Sequence, residues 1–170
     1  MAKVDADHLA SGNGYEPQRE NNFYLSITGL SPDFDFVMLA LRNITIPGHK
    51  TEGVVINWGN SFRKVSGGVT LEDMPLKCRD MVDKDVRKCL LKWYWKVYDP
   101  YTGKKGLCSD YKKVGEILLF APDGSSNERV CGLQGIWPTG EPPTALTMDS
   151  QNPLDMDISL CVDKALWDLT

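Results

Sequence analysis

No apolar run in this sequence approaches the roughly 18 residues of a bilayer-spanning helix, so no helical membrane protein is read and no membrane partner is expected. Basic residues are not in excess. Nineteen Lys and Arg stand against 23 Asp and Glu, a net charge of −4. A general nucleic-acid binder would show a basic stripe, and this balance argues against one. GxSxG, P-loop, HExxH and Gly-rich dinucleotide signatures are all missing, which leaves an enzyme without a recognisable motif. Asp and Glu are spread over turns, caps and strand faces, so no paired-carboxylate site stands out. Histidine is scarce, with only His8 and His49. The five cysteines (Cys78, Cys89, Cys108, Cys131, Cys161) contain no CxxC pair and lie far from either histidine in sequence. That spacing disfavours both a zinc site and an activated thiol, so no metal and no cofactor is expected. There is no internal repeat and no low-complexity tract. The opening MAKVDADHLASGNGYEPQRENN lacks the apolar stretch of a signal peptide, so folding in a cytoplasm is expected. Asn43-Ile44-Thr45 matches a glycosylation sequon, but without secretion the match is chance.

What remains is an ordinary soluble composition, 42% apolar and 25% charged, over 170 residues. A chain of this size buries a sufficient core without disulfides or metal. Residues 1–20 are polar and Gly-containing, which predicts a flexible arm, with one domain over 21–170. Phe23, Leu25 and Ile27 alternate with Tyr24, Ser26 and Thr28, a strand with one apolar face. Ser31-Pro32-Asp33 makes a turn, and Ala40 to Ile46 is a strand. Thr51 to Trp58 and Ser61 to Val65 flank Gly59-Asn60 as a hairpin whose faces are weakly segregated. A strand without a clear buried side is an edge or a surface meant for a partner. Gly67-Gly68 reads as a break, followed by a strand over Val69 to Leu76.

Val82, Val86, Cys89, Leu90, Trp93 and Val97 recur at helical spacing as one stripe, with Asp80 or Asp83 as cap and Asp99-Pro100 as stop. Lys84, Arg87, Lys88, Lys92 and Lys96 lie largely off that stripe, as a solvated face or a basic surface for an acidic partner. Val114 to Ala121 is apolar on both faces and reads as a central strand covered on two sides. Pro122-Asp123-Gly124 turns it into Glu128 to Trp137. After a long irregular stretch, Met156, Ile158, Leu160 and Val162 alternate with Asp155, Asp157, Ser159, Cys161 and Asp163, giving one core face and one acidic face. The sum is about seven strands and one helix, a mainly β chain forming a β-sandwich or open barrel with a helix packed on one side.

Several motifs, in order, resemble one family. Glu16-Pro17-Gln18-Arg19-Glu20-Asn21-Asn22-Phe23 opens it. Asp83-Lys84-Asp85-Val86-Arg87 leads into Trp93 and Val97-Tyr98-Asp99-Pro100-Tyr101-Thr102-Gly103. Asp110-Tyr111-Lys112-Lys113 precedes a strand ending Ala121-Pro122-Asp123-Gly124. Gly135-Ile136-Trp137-Pro138 and Ser159-Leu160-Cys161-Val162-Asp163-Lys164-Ala165 complete the set. From about residue 16 onward, the chain resembles tail tube proteins of contractile-tailed bacteriophages.

The resemblance implies hexameric rings stacked into a hollow inner tube within a contractile sheath. The tube is the conduit for DNA in genome ejection, its channel is lined by strands of neighbouring copies, and the helix lies outside. Implied partners are identical copies, sheath, baseplate and tail terminator, with the tape measure protein and DNA in the lumen without specific binding. The location would be the virion tail, after assembly in the host bacterial cytoplasm. Inner-tube proteins of phage-like bacteriocins and type VI secretion systems share this fold and form the alternative, and a monomeric ligand-binding barrel lined by tryptophans is a further rival.

Within that frame, Thr51, Glu52, Val54, Ile56, Trp58, Asn60 and Phe62 of the hairpin, with the arm, are candidates for ring stacking. Asp155, Asp157 and Asp163 are candidates for a lumen wall that repels phosphates. Cys108 and Cys161 read as exposed thiols that could join subunits by disulfides once a released particle meets oxygen.

Overall fold

The computed structural model describes residues 20–30, 40–82, 85–121, 127–143, 146–149 and 151–168. The arm, the Ser31-Pro32-Asp33 and Pro122-Asp123-Gly124 turns, and Asp83 and Lys84 fall outside the described residues, apart from Glu20 at the arm's end.

Nine strands are described: β1 Phe23–Thr28, β2 Leu41–Ile44, β3 His49–Trp58, β4 Ser61–Leu71, β5 Met74–Arg79, β6 Lys113–Phe120, β7 Asn127–Pro138, β8 Asp155–Cys161 and β9 Lys164–Trp167. Among the described residues two helices join them, α1 Val86–Tyr94 and the single-turn α2 Cys108–Tyr111. The main sheet runs β1-β6-β7-β8-β5-β2, with β9 added to β7. Every described pairing in it is antiparallel.

β7 joins two halves. Its first part pairs β6 and β9, while Trp137 and Pro138 alone pair β8. The change comes at Gly135, where φ is +69° and the β6–β7 register slips between Lys113 and Val114. Only glycine takes that conformation without strain, and an added Cβ would collide with the Asp163 carboxylate.

The alternating apolar positions do what their period predicts. Leu25 and Ile27 of β1, Met74, Leu76 and Cys78 of β5, and Met156, Ile158 and Leu160 of β8 are all buried in one core. β6 contributes Ile117, and β7 contributes Cys131, Leu133 and Ile136. α1 adds Val86, Leu90 and Trp93, and the Trp93 indole N–H donates to the Tyr111 carbonyl over 2.8 Å. The mainly β, open-barrel expectation with a packed helix holds.

Four local expectations need correction. Val82 is fully exposed and lies ahead of α1, so the stripe begins at Val86. The cap is therefore Asp85, whose carboxylate accepts from the Lys88 N–H over 3.1 Å, while that of Asp80 accepts from Met81. Gly67-Gly68 does not end a strand: β4 passes through it, and β5 begins only at Met74. Gly67 sits opposite the slip in register between Thr51 and Gly53, where a Cβ would press on the Val54 side chain and the Glu52 carbonyl. The glycine permits a close crossing within a continuous ribbon. β6 is central by pairing, yet only one of its faces is deeply buried, since Val114 is exposed and Leu118 and Phe120 are half-buried.

Candidate assembly surfaces

The β3–β4 hairpin is a sheet of its own, paired with no other described strand. Its base is tied down by Leu71, which packs on the core, and by the Glu72 N–H donating to the Gly48 carbonyl. Beyond the base it leaves the body. Every residue of β3 is exposed, as is every residue of β4 except Gly67 and Leu71. Register sorts the side chains. Val54 faces Val65, Ile56 faces Arg63 and Trp58 faces Ser61 on one side, while Val55 faces Lys64 and Asn57 faces Phe62 on the other. Apolar groups thus occupy both faces, and Trp58 and Phe62 are 76% and 66% exposed. A lone two-stranded ribbon is marginal in water, and a contiguous exposed apolar patch marks an interaction site. Of the candidates, Val54, Ile56 and Trp58 share a face with one another, Phe62 lies on the opposite face, Asn60 is in the turn, and Thr51 and Glu52 stand near the base.

A second opening lies where the sheet fails to close. β1 and β2 are the ends of the strand order, and no described strand pairs their outer edges. Both line a cleft of about 800 Å³, walled by Phe23, Leu41, Ile44, Ile117 and Leu119 among others. Unpaired edges of this kind are templates for another strand.

The acidic face is not bare. Asp155 accepts from Arg79 Nε over 2.9 Å, and Lys77 Nζ lies 3.9 Å from Asp157. These are direct cross-strand partners in the β5–β8 register. The Arg79 guanidinium holds the Asp155 carboxyl below the ordinary aspartate range, with help from Lys77 and Arg42. Asp163 stands apart: β8 ends at Cys161, and Asp163 lies in the turn to β9, where its carboxylate pairs with Lys112. That hydrogen bond raises the Lys112 pKa. A wall built from Asp155 and Asp157 is therefore a charge-balanced checkerboard.

The two candidate cysteines differ. Cys108 is exposed, its Sγ 3.2 Å from the Tyr111 hydroxyl. Cys161, read as exposed, is half-buried beside Trp137, and burial, Asp73 and Asp163 all push its thiol up. Cys78 and Cys131 are buried, and Cys89 is half-buried on α1.

Among the described residues no three His, Cys, Asp or Glu converge as metal ligands, and no helix is long and apolar enough to cross a membrane. The tryptophans do not gather around one cavity. Trp93 is core, Trp58 tips the hairpin, Trp95 and Trp167 are exposed, and none of three clefts between described residues has a tryptophan in its wall.

No protein-family model matches the sequence. Over 149 residues it is 24% identical to the tail tube protein gp19 of Enterobacteria phage T4, covering 85% of this chain and 88% of that one. Among solved structures, the tube-terminating cap of the anti-feeding prophage superposes with a TM-score of 0.66 at 14% identity, over 89% of this chain and 90% of that one. The sheath/tube terminator of an extracellular contractile injection system gives 0.66 at 15%, over 90% and 97%. A chain of the sheath–tube complex of such a system gives 0.61 at 15%, over 98% and 99%. Those identities speak for the fold alone, and the fold is that of tail tubes. Likeness to tail tube proteins thus rests on sequence and fold together. The curated relative is named as a tail tube protein, and likeness to it supports a structural role in a tube rather than an enzyme's.

Proposed function

We propose that this tail-tube-like chain forms hexameric rings that stack into the inner tube of a contractile phage tail, the conduit for DNA ejection. The observation that carries the reading is the β3–β4 ribbon, which is apolar on both faces and stands outside the core of its own subunit. Such a ribbon is stabilised only when both faces are covered, and identical copies above and beside it can do so. The open edges of β1 and β2 favour the same end, because a ring closed by edge pairing leaves no strand exposed. Rotational symmetry makes each contact head-to-tail, so a ring closes while stacking along the axis continues.

In this reading the residue 1–20 arm joins the hairpin in stacking, and 21–170 is one domain. Sheath, baseplate and tail terminator meet the tube from outside and at its ends, and the tape measure protein and then DNA occupy the channel. The particle is a virion assembled in the host cytoplasm. The Asp155–Asp157 face is our choice for the lumen, and its pairing with Arg79 and Lys77 gives a wall with little net charge, which neither grips phosphates nor strongly repels them. Cys108, being exposed, is our choice of thiol to join subunits oxidatively, with Cys161 reached only if assembly uncovers it.

Negative-stain microscopy of the purified protein tests the proposal. Stacked six-fold rings are expected at high concentration. Correctly folded protein that stays monomeric at every concentration would refute it. Non-reducing electrophoresis of assembled material tests the disulfide, and monomer bands alone would remove that part.

A further inference from the structure

β6 and β7 carry the glycines Gly115, Gly132 and Gly135. Two of them are required by their own subunit. A Cβ on Gly115 would strike the Ser26 carbonyl and the Ile136 side chain, and Gly135 has a left-handed backbone. Gly132 is different. Its φ lies outside the left-handed region, and a Cβ there would sit 3.8 Å from the Arg129 guanidinium and 3.9 Å from the Leu166 carbonyl, both ordinary contact distances. Glycine inside a strand is unfavourable in itself, and it marks the close approach of another group. Register places Gly132 between Glu116 and Leu166, on the outer face of β1, β6, β7 and β9. The opposite face of the same strands buries Ile27, Ile117, Leu133 and Ala165.

Where the side chain is missing there is a cleft of about 240 Å³, walled by the exposed Val114 and Leu166 and by Thr28, Glu116 and Gln134. Glu116 is half-buried, and its direct cross-strand neighbours, Ser26 and Gly132, carry no charge. Among the described residues no cation lies within ion-pair distance of Glu116, and Arg129 at the same cleft is held by Asp168 over 3.2 Å. The cleft therefore offers one uncompensated carboxylate in an apolar frame. The ribbon offers the reverse. β3 and β4 hold Lys50, Arg63 and Lys64 against Glu52. Among the described residues none of those three cations has a carboxylate within ion-pair distance. Arg63 stands directly opposite Ile56, with the Val54–Val65 pair next to it on the same face.

We propose that this cleft seats the ribbon of a second copy, with the Arg63 guanidinium on the Glu116 carboxylate and the Ile56 face laid over Val114 and Leu166. The inference rests on the self-assembly reading above and names the surface that one face of the ribbon covers. Charge complementarity chooses the occupant: a cation framed by Ile56, Val54 and Val65 meets a carboxylate framed by Val114 and Leu166. Facing sheets pack about 10 Å apart with side chains filling the gap, so a long side chain fits where the opposing strand has none. Arginine suits the position, because its apolar stem lies along the cleft walls and its planar fork takes a carboxylate by two hydrogen bonds. Lys64 faces Val55 on the other side of the ribbon and is not the partner. The subunit's own ribbon leaves the body beyond its base, so only another copy completes the site.

The test uses the full chain, read by sedimentation across a dilution series and by negative-stain microscopy of rings. Gly132→Val fills the cleft with a strand-favouring side chain. Its melting temperature is expected to equal or exceed that of wild type, while rings need at least about tenfold more protein. Glu116→Lys and Arg63→Glu are each expected to raise the required concentration about tenfold, and R63E/E116K to recover most of the loss, as groups in direct contact do. Rings from G132V at the wild-type concentration overturn the proposal, and so do charge losses that merely add in the double variant. Recovery of E116K by K64E in place of R63E overturns the choice of ribbon face. Wild type that forms no rings at all removes the self-assembly reading itself, and this inference with it. Circular dichroism confirms that each variant folds, and the charge cycle decides the matter if G132V does not fold.

Discussion

Replacing Trp58 by Ala removes the largest exposed apolar side chain of the hairpin. Aromatic side chains of this class bury about 150–250 Å² when fully covered. Trp58 leaves 76% of its surface open in the subunit, so roughly 110–190 Å² is available to a neighbouring copy. At ~25 cal/mol per Å² that amounts to about 3–5 kcal/mol as an upper bound. Ordering of the ribbon and imperfect packing reduce it to about 2–4 kcal/mol per contact. A decade of affinity corresponds to about 1.4 kcal/mol, so the critical concentration for assembly should rise by about 30- to 700-fold. Sedimentation across a dilution series reads that quantity. The subunit itself should hardly notice, with a change under about 0.5 kcal/mol in dilute thermal or denaturant melts, because Trp58 is not part of the core. An unchanged critical concentration would refute the reasoning. A melting loss as large as the assembly loss would also refute it, by showing that Trp58 packs within its own subunit.

Gly135→Ala should destabilise the subunit by about 2–4 kcal/mol in denaturant titration, since it strains a residue at φ +69° and drives a Cβ into the Asp163 carboxylate. Adding Asp163→Ala should recover only the steric part. Arg79→Ala tests the checkerboard through pH. The folded Asp155 pKa is depressed, so the pair's contribution is present above the ordinary aspartate value of 3.8 and is lost as pH falls below it. Acid-unfolding curves of wild type and variant should differ near neutrality and converge at the acid end, and a constant offset would count against it. In native protein at mildly alkaline pH, a maleimide should label Cys108 well before Cys78, whose thiol burial pushes up to about 12. Mass spectrometry showing Cys78 labelled first would contradict the packing of β5 and β8.

How far the sequence reached depended on the range of each signal. β1, β8 and α1 were legible because their periods of two and 3.6 are local facts. Val82 misled because it continued the helical spacing without being in the helix, and the cap moved from Asp80 or Asp83 to Asp85 accordingly. The four residues of β9 were too few to show a period, and Lys164–Trp167 gains its strand identity only by pairing with β7. At the hairpin, the sequence pattern showed weak segregation of faces, but not that the ribbon runs on to Leu71.

By itself, then, the amino-acid order determined a mainly β chain with one amphipathic helix, no catalytic signature, and a hairpin lacking a buried side. These follow from the alternation and spacing of neighbouring residues. Only tertiary structure decided that Asp155 and Asp157 lie opposite Arg79 and Lys77, that Asp163 belongs to Lys112 instead, and that Cys161 is half-buried. The first arises from β5–β8 strand register between residues some 80 positions apart, where a one-residue slip would exchange every face, and the others from segments that only the fold brings together. Charge compensation and exposure are properties of such pairings, and no single stretch of sequence contains them.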